Sequence, residues 1–498
     1  MCIPTNQNIK NVVIAGAGPA GLLLTALLLE RNKQPNSTTR YNVTLVESRE
    51  DLGQLDPGTS LKAHRSWMIA LAGHGLEAIR MVPKLYDDYV SGVGVRIRQV
   101  SLFLGAMEIK NSADGEGGDS EAYIVDRNFV VASMARYLKD EYSDSKSAMY
   151  TPRYGTELLY VDSANHQILT RDSNTGNEEY INYDLLVGAD GARSTVRQAL
   201  VKNHYDFEMD VGDIFQEFKA VHVTRPEKLN GNAMNIFPGI FPHMQGIGLP
   251  EPDGQINISI GAPRNKFNEI APELKSEDPK VVAEYFKKNF KACELDDYDD
   301  FAEKWVNCKW NRTGMVHCNF YHSVPCKVVI MGDAAHATSP SIGMGMNTAL
   351  RDAQKLVEIL EQHKDDLEKV LPQFSKDCVK EGNSLSDLAL HLYCYDIKAM
   401  FKETISTIVR SVLNKFLPRL VRPHPQMVIG NPKWSLSEVY QLASDQGIIQ
   451  KHRAINQRIR QEHFERETGM ITKEKRTVSM WLLSIPVAMS AYFFGMKM

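Results

Sequence analysis

The sequence has few cysteines, no excess of basic residues and no repeat at a solenoid period. Its seven cysteines form no CxxC pair, so neither a disulfide scaffold nor a zinc ribbon is favoured. Lys+Arg 57 against Asp+Glu 61 gives a formal net charge of −4, and no nucleic-acid motif occurs, which argues against a nucleic-acid partner. With 498 residues, 43% of them hydrophobic and 24% charged, the chain can form about three ordinary globular domains.

Two further features bear on metals and on the cellular compartment. His317, Cys318 and His322 are close in sequence, but no fourth ligand is evident, so we predict no metal site. The first ten residues lack the charged-then-apolar pattern of a signal peptide. Together with the low cysteine content, this predicts a reducing compartment.

A long uncharged stretch lies near the C-terminal end. Residues 477–496 read TVSMWLLSIPVAMSAYFFGM, and a helix of 20 residues spans ~30 Å, the thickness of a hydrocarbon core. Lys473, Lys475 and Arg476 precede it, which places the main body in the cytosol under the positive-inside rule. We predict a membrane anchor here, and the alternative is a buried terminal helix, which Pro486 favours.

A glycine fingerprint follows the first apolar run. Residues 11–15 read NVVIA and predict a strand buried on both faces, and Gly16-x-Gly18-x-x-Gly21 then opens an apolar helix. In this context the glycines allow a tight turn, close approach of a pyrophosphate and close helix–strand packing. Glu47 ends the next predicted strand, where its carboxylate can accept from a ribose hydroxyl. The combination predicts dinucleotide binding.

Two more strand–turn motifs follow. Residues 185–197, LLVGADGARSTVR, predict a buried strand that runs into Asp190 and then a helix. Residues 329–347, VIMGDAAHATSPSIGMGMN, predict a strand that leads to Asp333, whose carboxylate can bind a polyol chain. The glycine turn after it leads to another helix N-terminus, which can face an electron-rich ring. His336 in this motif is predicted to be structural.

The remaining patterns predict a second domain and a helical region. Apolar and polar residues alternate within 209–262, as in an antiparallel sheet, and the buried strand 327–331 returns the chain to the first domain. Apolar residues at helical spacing within 401–416 favour a packed helix over a membrane-surface helix. We predict an α/β protein with a Rossmann-like cofactor domain (8–70, 121–200 and 321–390), an inserted antiparallel-sheet substrate domain (71–120 and 201–320), C-terminal helices (391–472) and a transmembrane helix (477–496).

The three motifs, in this order and spacing, resemble the flavoprotein monooxygenases of the para-hydroxybenzoate hydroxylase type over about residues 8–390. The resemblance implies that FAD is bound non-covalently, that NADPH (or NADH) reduces it, and that one atom of O2 is transferred to an aromatic small molecule. Arg127 matches an arginine that contacts the cofactor in that family, and the alternative is a surface arginine. The cofactor residues implied are Gly16, Gly18, Gly21, Glu47, Arg49, Ala70, Arg127, Asp190, Asp333, Gly343, Gly345, Met346 and Asn347.

Four shorter segments are similar to the kynurenine 3-monooxygenase family. They are Arg65-Ser-Trp-Met-Ile-Ala-Leu71, Val95-Arg-Ile-Arg98, Asn235-Ile-Phe-Pro238 and Ser386-Asp-Leu388. That family has a membrane-anchoring C-terminal region and acts at the mitochondrial outer membrane. The resemblance and the basic flank of the anchor therefore imply the mitochondrial outer membrane or the endoplasmic reticulum.

The substrate pocket departs from that family. Arg98 matches the arginine that grips the amino-acid carboxylate, and a bidentate clamp suits this role. The family's tyrosine partner is absent near 110–112, and Leu392 stands where the family has an asparagine, although Tyr393 and Tyr395 are close. An apolar or differently shaped aromatic or lipophilic substrate is therefore as compatible as kynurenine.

The same fold is compatible with other functions. A reductase or oxidase acting on an isoprenoid lipid stays open, as does a non-catalytic flavoprotein scaffold at a membrane. A flavin-dependent halogenase is not favoured, because those enzymes carry a GWxWxIP motif and none of the tryptophans of this sequence lies in such a motif. The tryptophans are Trp67, Trp305, Trp310, Trp434 and Trp481.

Overall fold

A computed structural model describes most of the chain. The described residues are 8–35, 37, 39–63, 66–104, 107–112, 121–142, 149–238, 244–290, 294–392, 409–410, 413–414, 416–417 and 419–469. The predicted anchor at 477–496 and most of the predicted helix at 401–416 lie outside them. Among the described residues, no helix combines the length and apolar character needed to cross a bilayer.

The strands and helices have the following bounds. The strands are β1 Asn8–Ala15, β2 Thr39–Val46, β3 Met68–Ala72, β4 Gly94–Arg96, β5 Gln99–Leu104, β6 Met107–Ser112, β7 Ala122–Asp126, β8 Tyr150–Arg153, β9 Thr156–Asp162, β10 Gln167–Asp172, β11 Glu178–Asn182, β12 Leu185–Gly188, β13 Met209–Thr224, β14 Ala233–Pro238, β15 Gln245–Pro250, β16 Gln255–Pro263, β17 Asn311–Cys318, β18 His322–Ser323 and β19 Val328–Ile330. The α-helices are α1 Pro19–Arg31, α2 Ser60–Ala63, α3 Gly73–Arg80, α4 Arg127–Tyr142, α5 Thr195–Asn203, α6 Arg264–Ile270, α7 Pro279–Asn289, α8 Tyr298–Asn307, α9 Asp333–His336, α10 Gly345–Gln362, α11 Leu367–His391, α12 Pro425–Val428, α13 Leu436–Asp445 and α14 Ile448–Glu467.

The chain divides into two compact units, each assembled from three stretches of sequence. The first unit comprises Met1–Val93, Val125–Gly212 and Met315–Ser386. The second comprises Gly94–Ile124, Asp213–Gly314 and Asp387–Met498. The assignment of cofactor and substrate domains to segments of the sequence stays a prediction.

The first unit is built on a six-stranded sheet with the order β18-β19-β12-β1-β2-β8. Neighbouring strands from β19 to β8 pair in parallel, and β18 closes one edge antiparallel. The predicted strands at 11–15 and 327–331 lie largely within β1 and β19. Val12, Val13 and Ile14 are buried on both faces, which explains the uninterrupted apolar run in the sequence.

Helix α1 is apolar on almost every side because it is covered on almost every side. Leu22, Leu23 and Leu24 are fully buried at three consecutive positions, and the helix packs against α10 within the first unit. A helix in this position has no solvent-facing stripe, so its sequence shows no amphipathic period.

The second unit is built on a seven-stranded sheet with the order β17-β13-β16-β15-β14-β5-β6. The predicted antiparallel strands within 209–262 are found as β13 to β16. The sheet as a whole is mixed, because β5 pairs in parallel with β14. This pairing joins segments more than a hundred residues apart, and sequence periodicity carries no information about it. The core of this unit includes Phe286, Phe301 and Trp305, with ring centroids 4.7 Å apart for the Phe286–Phe301 pair.

Candidate cofactor site

The predicted site residues of the first unit follow the carboxyl ends of neighbouring parallel strands. Gly16 follows β1, Glu47 follows β2, Asp190 lies two residues beyond β12, and Asp333 lies three residues beyond the end of β19. The carboxyl ends of parallel strands meet at one edge of a sheet, and ligands bind in the crevice outside that edge. The fold therefore brings these four residues, far apart in sequence, to the same edge.

The three fingerprint glycines have different surroundings. Gly16 has a φ of +103°, and a Cβ there would lie 2.3 Å from the carbonyl oxygen of Ala189. A Cβ on Gly21 would lie 2.0 Å from the carbonyl oxygen of Gly16. Packing thus requires both glycines. A Cβ on Gly18 would meet no atom of the described residues within 4 Å, so these residues leave open space beside the backbone where a pyrophosphate is expected.

Glu47 closes the fingerprint loop. Its Oε2 accepts from the backbone N–H of Ala17 at 2.9 Å, and its Oε1 accepts from the backbone N–H and Nε–H of Arg49, each at 3.0 Å. Burial opposes ionisation, but the hydrogen bonds and charge of Arg49 outweigh it and hold the pKa of Glu47 below its usual value. The carboxylate is therefore a fixed anion at the end of β2, and about half of the Arg49 side chain remains exposed.

Two helix N-termini meet at this edge. Among the described residues, no side chain caps α1, which begins after Gly18, or α10, which begins after Met344. A Cβ on Gly332 would lie 3.6 Å from the Cβ of Ala20 and 3.2 Å from the Cβ of Ala349, so residues from the N-terminal ends of both helices flank this glycine. Uncapped N-termini carry free N–H groups and a partial positive charge, which suits the phosphates of a dinucleotide.

Asp333 is exposed, although the residues on both sides of it in the sequence are buried. It opens α9, and the next three residues, Ala334 to His336, are buried. A carboxylate directed outward at this edge can accept hydrogen bonds from the hydroxyls of a polyol chain, as the sequence predicts.

Arg127 lies near several of the other predicted residues. It begins α4, is half-buried, and its Cζ lies 5.1 Å from the ring centroid of Trp67. Burial and the charge of Arg49 lower the pKa of Arg127, whereas Asp333 and Glu47 act in the opposite direction. Arg127 is thus within electrostatic range of Arg49, Asp333 and Glu47.

Asn347 uses its side chain inside the protein. Its Nδ2 donates to the carbonyl oxygens of Ala70 at 2.9 Å and Gly343 at 3.1 Å, and its Oδ1 accepts from the N–H of Ala72 at 2.9 Å. Both N–H groups are therefore satisfied, and the side chain is fully buried. Asn347 holds β3, the glycine turn and α10 together. Gly345 lies two residues earlier, and a Cβ there would meet no atom of the described residues within 4 Å.

Asp190 is committed to the start of α5. Its Oδ2 accepts from the N–H groups of Thr195 at 2.7 Å and Val196 at 3.1 Å. Burial raises the pKa of this carboxyl group, and these hydrogen bonds only partly offset the effect. Its Oδ1 is buried and has no hydrogen-bond partner in the described part of the chain, which leaves one acceptor for a bound group.

Arg197 ends the second strand–turn motif, and the sequence did not predict it as a site residue. Its Nη1 donates to the carbonyl oxygen of Ala334 and its Nη2 to that of Ala192, each at 2.7 Å. The buried guanidinium thus links the turn after β12 to α9. A guanidinium can bridge two carbonyls because its donors form a rigid fork. The signal in the sequence was weak, because the same motif holds a second arginine, Arg193.

The predicted substrate residues belong to the second unit. Arg98 lies between β4 and β5, its side chain is exposed, and it forms no ion pair among the described residues. Its backbone N–H donates to the carbonyl oxygen of Asn232 at 2.9 Å, which fixes the chain there. Leu392 is buried, and Tyr393 and Tyr395 lie outside the described residues.

Comparison with known proteins adds a family relationship to this geometry. Residues 135–378 match the model of the FAD binding domain family. A kynurenine 3-monooxygenase of Neurospora crassa is 28% identical over 418 residues, covering 77% of this chain and 78% of the relative. One from Anopheles gambiae is 27% identical, covering 77% of this chain and 74% of the relative.

Solved structures share the fold. A 2-methyl-3-hydroxypyridine-5-carboxylic acid oxygenase has a TM-score of 0.57 at 17% identity, covering 76% of this chain and 90% of its own. Klebsiella pneumoniae HpxO, solved with FAD and uric acid, has a TM-score of 0.56 at 16% identity and covers 76% of this chain and 87% of its own. At these identities the likeness concerns the fold.

The chain is an FAD-dependent aromatic monooxygenase, and therefore an oxidoreductase. Within this class it is a homologue of the kynurenine 3-monooxygenases, with FAD as cofactor and NADPH or NADH as co-substrate. The open space at Gly18, the two uncapped helix N-termini and the exposed Asp333 fit such a dinucleotide.

Proposed function

We propose that the chain hydroxylates a small aromatic substrate that carries a carboxylate, with kynurenine as the first candidate. The observation that carries this proposal is the exposed guanidinium of Arg98, which forms no ion pair in the described part of the chain. An arginine with a free fork of donors is suited to a bidentate carboxylate. The names of the relatives from Neurospora crassa and Anopheles gambiae supply the candidate substrate.

The residues of the first unit are proposed to bind and orient the cofactor. When bound, FAD supplies hydride acceptance from NADPH or NADH and the activation of O2. The N–H groups at the start of α1 and α10 hold negative charge, and Glu47 and Asp333 accept from hydroxyl groups. Asn347 keeps the segment around Ala70 fixed, so that the ring edge of the site keeps its shape.

The rate at which NADPH reduces the flavin tests whether kynurenine is the substrate. The purified flavoprotein is mixed with NADPH, with and without L-kynurenine, and loss of flavin absorbance is followed together with the appearance of 3-hydroxykynurenine in air. Acceleration by kynurenine and formation of product are expected. No acceleration in a protein that retains FAD contradicts the kynurenine proposal.

Variants of Arg98 locate the carboxylate contact. Arg98→Met is expected to raise the KM for the substrate about a hundredfold, and Arg98→Lys less, because a lysine keeps the charge without the fork. Arg312→Met removes another exposed arginine of the same unit and is the matched control. Equal effects of Arg98→Met and Arg312→Met would contradict a carboxylate site at Arg98.

A lipophilic substrate is the second candidate, through a divergent monooxygenase or a reductase acting on an isoprenoid. The observation in its favour is Leu392, which is buried and apolar at the position where the kynurenine 3-monooxygenase family has an asparagine. If kynurenine has no effect, NADPH consumption is measured with aromatic compounds that lack a carboxylate and with isoprenoid quinones. Consumption without hydroxylated product identifies a reductase or oxidase.

Residues 477–496 are proposed to anchor the protein in the mitochondrial outer membrane or the endoplasmic reticulum, with the main body in the cytosol. The length of the uncharged run and the basic residues before it support this proposal. Carbonate extraction of membranes tests it, with a variant that carries Leu482→Arg and Leu483→Arg as the comparison. The natural chain is expected in the pellet and the variant in the supernatant. Extraction of both contradicts an anchor.

A further inference from the structure

A buried acid–base pair lies directly behind Asp333 in the first unit. His336 and Asp352 are 1% and 3% exposed, and 2.6 Å separate the Nε2 of His336 from the Oδ2 of Asp352. The same Oδ2 accepts from the backbone N–H of Gly332 at 2.9 Å. One carboxylate oxygen of Asp352, on α10, therefore accepts hydrogen bonds from Gly332, just before α9, and from His336, the last residue of α9.

The pair is ionic. Burial disfavours a charged imidazole, but the charge and hydrogen bond of Asp352 outweigh it, and Asp333 adds to them, so the pKa of His336 is raised. The pair lies in an environment sealed by α11: a Cβ on Gly382 would lie 2.3 Å from the hydroxyl oxygen of Tyr321 and 2.7 Å from the Cδ2 of His336. In such surroundings a charge-assisted hydrogen bond is stronger than one exposed to water.

The turn held by this pair has little freedom of its own. Gly332 has a φ of +57° and a ψ of −142°, a conformation that only glycine adopts without strain. Its carbonyl oxygen accepts from the N–H groups of Ala335 and His336, each at 2.9 Å. The exposed Asp333 lies between the two points that Asp352 grips, so its direction depends on them.

We propose that Asp352 is a positioning residue that, with His336, fixes the Gly332–His336 turn and thereby directs Asp333 toward the bound flavin nucleotide. This inference rests on the proposed cofactor role of Asp333. Asp352 itself is buried, and its Oδ2 contacts Gly332 and His336 within the turn. Its loss is therefore expected to act on FAD affinity through the turn.

Apo-protein binding of FAD, followed by quenching of flavin fluorescence, is the test. Asp352→Asn keeps an oxygen acceptor but removes the charge and is expected to weaken FAD binding about tenfold, whereas Asp352→Ala is expected to weaken it about a hundredfold. The matched control is Asp365→Asn, an equally buried carboxylate of the same unit that pairs with Arg31 away from the turn. This control is expected to lower thermal stability and leave FAD affinity nearly unchanged.

A spectroscopic readout separates positioning from general stability. Among the described residues, the charged and titratable groups around His336 are Asp333, Asp352, Tyr321 and Cys378. Burial raises the pKa of the Tyr321 hydroxyl and of the Cys378 thiol, so both stay neutral near pH 7. Nitrogen-15 spectra of the apo-protein are expected to show a protonated His336 that titrates at lower pH in Asp352→Asn. FAD affinity of the natural protein is expected to fall as the pH rises through that titration.

The possible results distinguish the positioning role of Asp352 from the proposed cofactor role of Asp333. Equal weakening by Asp352→Asn and Asp365→Asn, or unchanged FAD affinity in folded Asp352→Asn, overturns the positioning role. If Asp333→Asn leaves FAD affinity unchanged, the proposed role of Asp333 fails, and the positioning role fails with it. The substrate proposal is untouched by either result, because no substrate is present. Where Asp352→Ala does not fold, Asp352→Asn and His336→Gln decide the question.

Discussion

The Nδ2 of Asn347 donates to the carbonyl oxygen of Ala70, with 2.9 Å between the two atoms. This bond joins the first turn of α10 to strand β3, 277 residues apart in sequence. A second bond in the opposite sense, from the N–H of Ala72 to the Oδ1 of Asn347, fixes the amide orientation. Strand β3, which is predicted to border the flavin ring, is thus held in place by the side chain of Asn347.

Replacing this amide is expected to cost both stability and cofactor. Asn347→Asp places a carboxylate oxygen against the carbonyl oxygens of Ala70 and Gly343, and the expected loss is about 2–4 kcal/mol in the free energy of unfolding. Urea unfolding of the apo-protein measures it, and FAD retained after gel filtration measures the second effect. Asn203→Asp, an exposed amide that also donates to a carbonyl, is the control and is expected to change little. Similar losses in both variants would contradict the bridging role.

Gly18→Ala and Gly21→Ala are expected to fail in different ways. At Gly18 the φ of −77° suits alanine and the added methyl group meets no protein atom, so the unfolding free energy should change by less than about 0.5 kcal/mol. FAD affinity should fall at least about tenfold, because the methyl group enters the space expected for the pyrophosphate. At Gly21 the methyl group meets the carbonyl oxygen of Gly16, and the apo-protein itself should be destabilised. Unchanged FAD affinity in Gly18→Ala would place the pyrophosphate elsewhere.

Two buried histidines of the second unit predict sensitivity to acid. Burial lowers the pKa of His391 to about 4, with Arg453 contributing, and lowers that of His424 to about 3, with Arg410 contributing. The unfolded chain takes up protons near pH 6.5 while the folded chain does not, so stability falls as the pH drops from about 6.5 toward 4. Each unit of pKa depression corresponds to about 1.4 kcal/mol at most.

Unfolding curves between pH 7 and pH 4.5 check this dependence. A variant with His391→Gln and His424→Gln is expected to be less stable at pH 7 and to lose less stability on acidification. His166→Gln removes a half-buried histidine of the first unit and should leave the slope unchanged. A slope that is the same in the double variant and the natural chain would assign the acid sensitivity to other groups.

The features that sequence could predict are local ones. The fingerprint glycines were predicted because a strand, a tight turn and a helix start within six residues require particular residue types, and Glu47 because it follows the next strand. The buried strands were found because a strand covered on both faces is an uninterrupted apolar run. Asp333 was predicted as a cofactor residue because its carboxylate follows such a run, and that role stays a prediction.

The missing parts depend on contacts between distant segments. The bond from Arg197 to Ala334 spans 137 residues, and nothing in either segment alone indicates it. Asn347 was assigned to the flavin because it opens a helix at a glycine turn, but its side chain points into the protein, and that direction depends on where β3 lies. Side-chain direction at a helix start is set by packing, which a single sequence does not show.

Arg197 provides the last test, since it holds two turns of the candidate site at once. In Arg197→Lys a single ammonium group replaces the fork, so the carbonyl oxygens of Ala192 and Ala334 cannot both be bonded with the present geometry. The expected loss is about 1–3 kcal/mol in the free energy of unfolding, because one buried acceptor is left unsatisfied. FAD affinity should fall as well, since these turns carry Asp190 and Asp333. Arg225→Lys, which removes a guanidinium–carbonyl contact in the second unit, should leave FAD affinity unchanged. Loss of stability in Arg197→Lys with full FAD affinity would mean that the turns keep their positions without the bridge.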